Sequence, residues 1–202
     1  MQVNEFIACQ EYPCLDVRHE CHIIPQVDLD PEEISILMIS EAAPPEFKDY
    51  YYMGGDSLFE ITTRQAFQEA GAQVSSFNDL LHLGVYLTSA VKCGKRGYGI
   101  KAKTIKECST ILEREISLFP NLKVIMLMGD VAIKAINYVA KRAGETRVIP
   151  AGSTYKIRGK EYYFRGMRVF PSYLQAGPSF GIEKSKVRMI TEDIAAGLSL
   201  VS

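Results

Sequence analysis

The sequence has no excess of charge of either sign, since 23 Lys and Arg residues stand against 24 Asp and Glu residues. A net charge of -1 excludes a globally basic nucleic-acid coat, so any binding of phosphates must depend on local clusters of cations. The sequence also lacks an apolar run near the ~20 residues that span a bilayer, and we expect no membrane partner. Residues 1–14 lack the basic-then-apolar order of a signal peptide, which predicts a cytoplasmic protein.

Internal repeats, low-complexity linkers and Cys-x-x-Cys pairs are absent as well. A chain of 202 residues that is 47% hydrophobic can bury one sizeable core, and we predict a single domain over residues 1–202 that is monomeric. Five cysteines in a reducing compartment indicate metal binding or catalysis before disulfides.

Apolar periodicity predicts strands that alternate with helices. Strands are predicted at residues 34–39, 85–91, 123–128 and 167–170, and helices at 61–70, 103–119, 131–142 and 186–198. Residues 1–33 are irregular and carry cysteines, and residues 147–168 read as a hairpin or meander. The alternation predicts an α/β fold in which helices cover both faces of a parallel sheet.

A lone carboxylate, Glu41, follows the first buried strand and precedes Pro44 and Pro45, which cannot continue a central strand. Open α/β sheets bind ligands at this end of their strands. Two other strands end in polar loops, at residues 88–89 and 171–173, so the three ends can converge on one crevice. The alternative is that such loops are polar in any α/β fold.

Four cysteines are candidates for a metal centre: Cys14, Cys21, Cys93 and Cys108. Four thiolates suit a tetrahedral zinc or an iron–sulfur cluster, and a metal would order the helix-poor N-terminal segment. The alternative is that Cys108, on the apolar face of its helix, is a small core residue. Cys9 and His22 are spare candidates.

Basic residues concentrate at residues 92–106, 156–168 and 184–188, the first two groups with interleaved aromatic residues. Cations and aromatic rings in this pattern are typical of a surface that binds a phosphate backbone and unstacked bases. The common alternative is that such residues only form a solvent-exposed face. The loop at residues 44–59 is rich in tyrosine and glycine, and exposed rings there would need a functional reason.

Four blocks, at residues 36–45, 87–93, 128–132 and 169–174, together resemble the uracil-DNA glycosylase superfamily and are closest to its iron–sulfur branch. The resemblance spans almost the whole chain. It implies a three-layer αβα domain with a central four-stranded parallel sheet. It also implies an enzyme that flips a base out of DNA and hydrolyses its N-glycosidic bond.

The resemblance aligns Glu41 with the branch's acidic residue and Cys93 and Cys108 with two of its four cluster cysteines. Cys14 is similar to the first pair in its distance from Glu41, and its partner is Cys21 or Cys9, with Cys21 slightly favoured. The resemblance therefore implies a 4Fe–4S cluster, with zinc as the alternative.

Two positions depart from the pattern of the branch. Ser89 stands where an asparagine binds the base edge, and a hydroxyl cannot imitate the paired donor and acceptor of an amide. Phe170 stands where a histidine stabilises the leaving base. Losing such a donor commonly costs ~10²- to 10³-fold in rate.

The leading hypothesis is a glycosylase-like enzyme that acts on single- or double-stranded DNA carrying uracil or another altered base. The implied catalytic group is Glu41, which orients water, with Ser89 and Ser172. The implied base-binding residues are Ser40, Ala42, Tyr52, Phe59 and Phe170. The implied DNA contacts are Lys92, Tyr173, Lys184, Lys186 and Arg188. The alternatives are a non-catalytic protein that binds nucleic acid or a nucleobase on the same scaffold and a nucleotide- or nucleoside-level hydrolase.

Overall fold

The computed structural model describes residues 1–54 and 57–201, so residues 55 and 56 of the tyrosine-rich loop lie outside the described residues. Its centre is a six-stranded sheet in the order β1-β3-β2-β4-β6-β5. The strands are β1 (Val17–Arg18), β2 (Ile36–Ala43), β3 (Val85–Lys95), β4 (Val124–Met128), β5 (Tyr162–Phe164) and β6 (Met167–Ser172). The four inner strands are parallel, which confirms the predicted sheet.

The two edge strands are short and antiparallel, and they account for the difference from the expected four strands. β1 lies in the N-terminal segment that we expected to be irregular, where two residues give no detectable period. β5 pairs with β6 as a hairpin, as the pattern of residues 147–168 allowed. Its turn places Arg165 and Gly166 at positive φ, the conformation that tight hairpin turns require.

Helices cover both faces of the sheet, which gives the three expected layers. They are α1 (Leu58–Glu69), α2 (Phe77–His82), α3 (Ala102–Ile116), α4 (Asp130–Arg142), α5 (Thr154–Ile157) and α6 (Lys184–Ser199). Because side chains of a strand alternate, Leu37 and Ile39 pack on the α3–α4 side, whereas Ile36 and Met38 pack on the α1–α6 side. No helix in the described residues is long and apolar enough to cross a membrane.

The hydrophobic pattern did not predict α2 or α5, and α5 lies in the segment that we read as a hairpin or meander. α2 has only six residues and α5 only four, too few for a helical period to stand out. The start of α2 is nevertheless encoded locally, since Ser76 and Asp79 form a reciprocal capping box. Residue-level capping signals, and not periodicity, would have found it.

The strand register brings the carboxyl ends of the parallel strands to one edge. Ser40 lies opposite Ser89 in the β2–β3 pair, and Met128 lies opposite Ser172 in the β4–β6 pair. The β2–β3 register shifts between Ala42 and Ala43, an irregularity of the kind that turns a strand end and re-aims its side chains. This edge therefore collects the polar strand ends that the sequence singled out.

Candidate active site at the carboxyl ends of the strands

Glu41 lies in the last half of β2, and its side chain is 18% exposed. Its Oε2 accepts a hydrogen bond from Lys95 Nζ at 2.6 Å, and Lys95 is itself the last residue of β3. Two adjacent strands thus hold the carboxylate in one orientation while one side of it stays open to solvent. The sequence placed Lys95 only in the basic group at residues 92–106 and did not predict its pairing with Glu41.

Gly129, in the turn between β4 and α4, packs directly against this carboxylate. A Cβ at that position would lie 2.7 Å from Glu41 Oε1 and 2.8 Å from its Cγ. The backbone is at φ 110° and ψ 169°, a region that is essentially restricted to glycine. The Gly129 N–H donates to the carbonyl oxygen of Ser172 at 3.0 Å, which ties the ends of β4 and β6 together beside Glu41.

Gly129→Ala is expected to lower the free energy of unfolding by about 2 kcal/mol or more, because it adds a contact with Glu41 to a strained backbone. The measurement is urea denaturation. Gly144→Ala is the matched control, since Gly144 also has a positive φ but has open space around its Cβ position. Its expected cost is about 1 kcal/mol. Equal losses in the two variants would contradict the close contact with Glu41.

A cleft of about 390 Å³ opens beside Glu41 and is walled by the loop after β6 and the start of α6. Tyr173 lines it, and Lys186 Nζ lies 5.5 Å from the centre of the Tyr173 ring. Lys186 also pairs with Glu183 at 2.7 Å, and Asp130 lines the opposite side of the cleft. The cleft therefore combines the fixed Glu41 carboxylate with two other acidic residues, two aromatic residues and Lys186.

Ser172 lies beneath this cleft and does not line it. It is fully buried, and its hydroxyl donates to Asp193 Oδ2 at 2.5 Å. Arg158 Nη2 donates to Asp193 Oδ1 at 2.8 Å. Burial raises the pKa of Asp193, while the hydrogen bonds from Arg158 and Ser172 lower it. A hydroxyl held in this way joins β6 to α6, so the predicted catalytic role of Ser172 has no support in its position.

Ser40 and Ser89 form the floor between β2 and β3, and both are fully buried. Ser40 donates to the carbonyl oxygen of Thr88 at 3.1 Å, whereas the Ser89 hydroxyl has no partner among the described residues. Tyr50 and Tyr51 cover this floor and are themselves fully buried. Burial raises the pKa of Tyr50, and the neighbouring Ser89 hydroxyl lowers it slightly. Ser89, which was predicted to bind the edge of the base, is therefore not accessible to a base.

The other predicted base-binding residues lie in the core or, in the case of Tyr52, pack against it. The Tyr52 hydroxyl bonds both the carbonyl oxygen and the N–H of Leu87 at 2.9 Å, which fixes the ring against β3. Phe59, Phe170 and Ala42 are all less than a tenth exposed. The guanidinium carbon of Arg168 lies 4.3 Å from the centre of the Phe170 ring. None of these residues lines the cleft beside Glu41.

Lys92 is not available to DNA. It is fully buried, and its Nζ donates to Glu115 Oε2 at 2.5 Å, to Thr88 Oγ1 at 2.6 Å and to the carbonyl oxygen of Ser89 at 2.8 Å. The sequence places it in a basic run, but the alternation of β3 turns it inward. The remaining predicted DNA contacts, Lys184, Lys186 and Arg188, are exposed at the start of α6.

The cysteines converge between the N-terminal segment and α3. Cys9, Cys14 and Cys108 line one cleft of about 200 Å³. The pKa of the Cys93 thiol is raised to about 12, first by burial and then by the neighbouring thiols of Cys108, Cys9, Cys14 and Cys21. Burial likewise raises the pKa of Cys108 to about 11. Cys93 is thus a close neighbour of the same thiols.

Cys21 is the outlying member of this group. Its Sγ donates to the carbonyl oxygen of Pro45 at 3.0 Å, and Cys21, like Cys93, does not line the cleft that Cys9, Cys14 and Cys108 share. In the described parts of the chain, no three His, Cys, Asp or Glu side chains are arranged around a single ion position. The shared cleft therefore brings Cys9 to Cys14 and Cys108, where the sequence slightly favoured Cys21, and Cys93 neighbours all four of these thiols.

The sequence matches the model of a known protein family. The family model described as the Uracil DNA glycosylase superfamily matches residues 28–188, about four-fifths of the chain. The matched region contains Glu41, Gly129 and the start of α6. No curated protein matches the sequence.

Proposed function

Because the chain belongs to the uracil-DNA glycosylase superfamily, we propose that it is a DNA glycosylase-like hydrolase that removes uracil or another altered base from DNA. The observation that carries the proposal is the Glu41 carboxylate, fixed by Lys95 at the edge of the cleft and closely packed against Gly129. Its orientation is set before any substrate arrives, which is what a group that positions a water molecule needs.

In this proposal the flipped nucleotide approaches Glu41 from the cleft between Tyr173 and α6. The Tyr173 ring offers a face for stacking, and Lys186, Lys184 and Arg188 offer cations for phosphates. Lys186 and Arg188 are already paired with Glu183 and Glu192, so binding of DNA has to compete with these exposed ion pairs. Exposed pairs are worth at most about 1 kcal/mol each, and phosphate can displace them.

Base selection must differ from the pattern of the iron–sulfur branch, because Ser89 and Phe170 replace the asparagine and the histidine. Tyr50 and Tyr51 also fill the space over Ser40 and Ser89. A base that reaches this floor requires the two rings to move, whereas a base read at the cleft beside Glu41 does not. We therefore favour recognition at the cleft.

The direct test is excision from single- and double-stranded oligonucleotides that carry uracil, hypoxanthine or xanthine, at high enzyme concentration and with alkaline cleavage of abasic sites as the readout. The proposal expects strand cleavage with at least one of these bases and none with an undamaged oligonucleotide. If no substrate is cleaved, the catalytic proposal is wrong.

Closure of the floor by Tyr50 and Tyr51, together with Phe170, favours a second candidate. This is a protein that binds nucleic acid or a nucleobase without hydrolysis. Oligonucleotide affinity without excision of any tested base would support it over the first.

We also propose that Cys9, Cys14, Cys93 and Cys108 hold a 4Fe–4S cluster, with zinc as the alternative metal. Cys14, Cys93 and Cys108 are buried and Cys9 is half-buried. Neighbouring thiols that repel one another as thiolates suit a cationic centre, since metal binding removes their protons. Such a centre would supply a cross-link between the N-terminal segment, β3 and α3. It would thereby stabilise a segment with little regular structure of its own.

Cys9→Ser is expected to lower the iron or zinc content of the purified protein several-fold and, for iron, to bleach its visible absorption. Cys21→Ser is the matched control and should retain both, because its thiol faces Pro45. The measurement is elemental analysis together with the visible spectrum of anaerobically purified protein. Loss of metal in Cys21→Ser with retention in Cys9→Ser would contradict the proposed set of ligands.

A further inference from the structure

The loop between β3 and α3 carries the most exposed large apolar or aromatic side chain in the described parts of the sequence. This is Tyr98, which is fully exposed, whereas Leu15, the next in order, is 84% exposed. The Tyr98 ring has no hydrogen-bond or ring partner among the described residues. Single exposed rings are common on protein surfaces, so the surroundings of Tyr98 decide whether the ring is a binding contact.

Glycines flank Tyr98 on both sides. A Cβ added at Gly97 or at Gly99 would meet no atom within 4 Å, so the chain on both sides of the ring is open to solvent. Neither neighbour has a side chain that could cover a face of the ring. Both faces of Tyr98 are therefore available for stacking.

The two ends of this loop are held in place. At one end, Lys95 Nζ donates to Glu41 Oε2 at 2.6 Å. At the other end, the Lys101 N–H donates to Asp16 Oδ2 at 2.7 Å. Residues 96–100, which we call the Tyr98 loop, therefore start from the same edge of the sheet that carries the Glu41 carboxylate.

The position of the Tyr98 loop fits a DNA strand that passes Glu41. Tyr98 is three residues beyond Lys95, so the two Cα atoms are at most about 11 Å apart, or about three steps of a strand with ~3.4 Å per nucleotide. β3 lies on one side of β2, and β4 and β6 lie on the other. The Tyr98 loop and the wall formed by Tyr173 and α6 therefore flank Glu41 from opposite sides.

The charges beside Tyr98 also fit DNA. Arg96 and Lys103 are exposed, and neither forms an ion pair in the part of the chain that the structure describes. Lys186 and Arg188, on the other side of Glu41, are paired with Glu183 and Glu192. The cations beside Tyr98 are thus free to contact phosphates without first losing a carboxylate partner.

We propose that the Tyr98 ring stacks on an unpaired base next to the nucleotide bound at Glu41, while Arg96 contacts a phosphate of the same strand. Any base offers a face for stacking, so this contact selects single-stranded or locally opened DNA and not a sequence. The inference rests on the proposed function, which brings DNA to Glu41, and it adds the state of the DNA that the protein binds.

The test is binding of single-stranded oligonucleotides that carry a tetrahydrofuran abasic analogue, which cannot be excised, with 2-aminopurine on its 5′ or its 3′ side. Tyr98→Ala is expected to weaken binding about 5- to 150-fold, the range for loss of one stacked base. It should also abolish the change in 2-aminopurine fluorescence that the wild type causes. Tyr98→Phe should retain both, because the ring remains. Unchanged affinity and fluorescence in Tyr98→Ala overturn the proposal.

Folding does not complicate this result, since the exposed Tyr98 side chain packs against nothing in the described chain and both variants should melt like the wild type. Tyr163→Ala is the matched control. Tyr163 is also an exposed tyrosine, but it pairs with Arg168, which lies opposite Val124 at the start of β4, at the other edge of the sheet. It should bind DNA like the wild type. Equal losses in Tyr98→Ala and Tyr163→Ala overturn the proposed location.

Arg96→Ala separates charge from stacking. It is expected to reduce the slope of log affinity against log salt concentration by about 0.7, the value for one phosphate contact on a single strand, whereas Tyr98→Ala should leave the slope unchanged. A slope that falls in Tyr98→Ala would contradict stacking.

These binding measurements need no excision, so they separate the two proposals. Binding that depends on Tyr98, in a protein that excises no tested base, supports the stacking contact and counts against the proposed activity. Excision by the wild type, with unchanged DNA binding in Tyr98→Ala, supports the activity and overturns the stacking contact.

Discussion

Glu41→Gln is expected to lower the rate of base excision by about 10²- to 10⁴-fold while leaving the affinity for DNA nearly unchanged. The change keeps the size of the side chain and removes the negative charge that would orient and deprotonate water. The carboxylate is 18% exposed and pairs with Lys95. Single-turnover kinetics separate the chemical step from DNA binding and product release.

Asp130→Asn is the matched control for Glu41→Gln. Asp130 lines the same cleft, but it is largely exposed and pairs with Lys134 one helical turn away. It should lose less than about threefold in rate, since nothing orients it towards a reacting atom. Equal losses for the two acids would mean that the cleft needs negative charge in general. An unchanged rate in Glu41→Gln would remove Glu41 from the proposed mechanism.

Lys92→Met is expected to destabilise the fold by about 3–5 kcal/mol, the largest effect on stability that the structure predicts. The change leaves the Glu115 carboxylate fully buried without a counter-ion. The hydroxyls of Tyr86 and Thr88 would still donate to Glu115 Oε1, at 2.7 and 2.9 Å, but two neutral donors do not replace an ammonium group. Urea denaturation at constant m-value measures the loss.

Two further variants test whether the loss in Lys92→Met comes from the buried ion pair. Lys134→Met removes the cation of the exposed pair with Asp130 and should cost less than about 1 kcal/mol. The double variant Lys92→Met with Glu115→Leu should recover part of the loss, because no unpaired charge then stays buried. A cost below about 1 kcal/mol for Lys92→Met alone would contradict the buried pair.

The same pair shows why sequence patterns misplace residues of this kind. Lys92 belongs to a run of lysines that suggests a basic surface, and its partner Glu115 lies 23 positions away on α3. Periodicity assigns Lys92 to a strand, but only the packing of α3 against β3 supplies the carboxylate that makes burial of the lysine tolerable. The prediction that Lys92 contacts DNA was wrong because this long-range pairing buries the lysine.

The aromatic residues were misjudged for a related reason. A loop rich in tyrosine suggests exposed rings, yet Tyr50 and Tyr51 are fully buried against β2 and β3. The choice between Cys9 and Cys21 also depended on tertiary contacts. Both lie near Cys14 in the sequence, and only the path of the N-terminal segment decides which thiol faces Cys108.

The sequence by itself determined the α/β alternation, the four parallel strands and the position of Glu41 at a strand end. These features follow from local periodicity and from prolines that end a strand, which act within a few residues. The tertiary structure alone decided which polar and aromatic residues face a cleft and which are core. It also decided which thiols meet. Those outcomes depend on contacts between residues far apart in the chain, and no local pattern encodes such contacts.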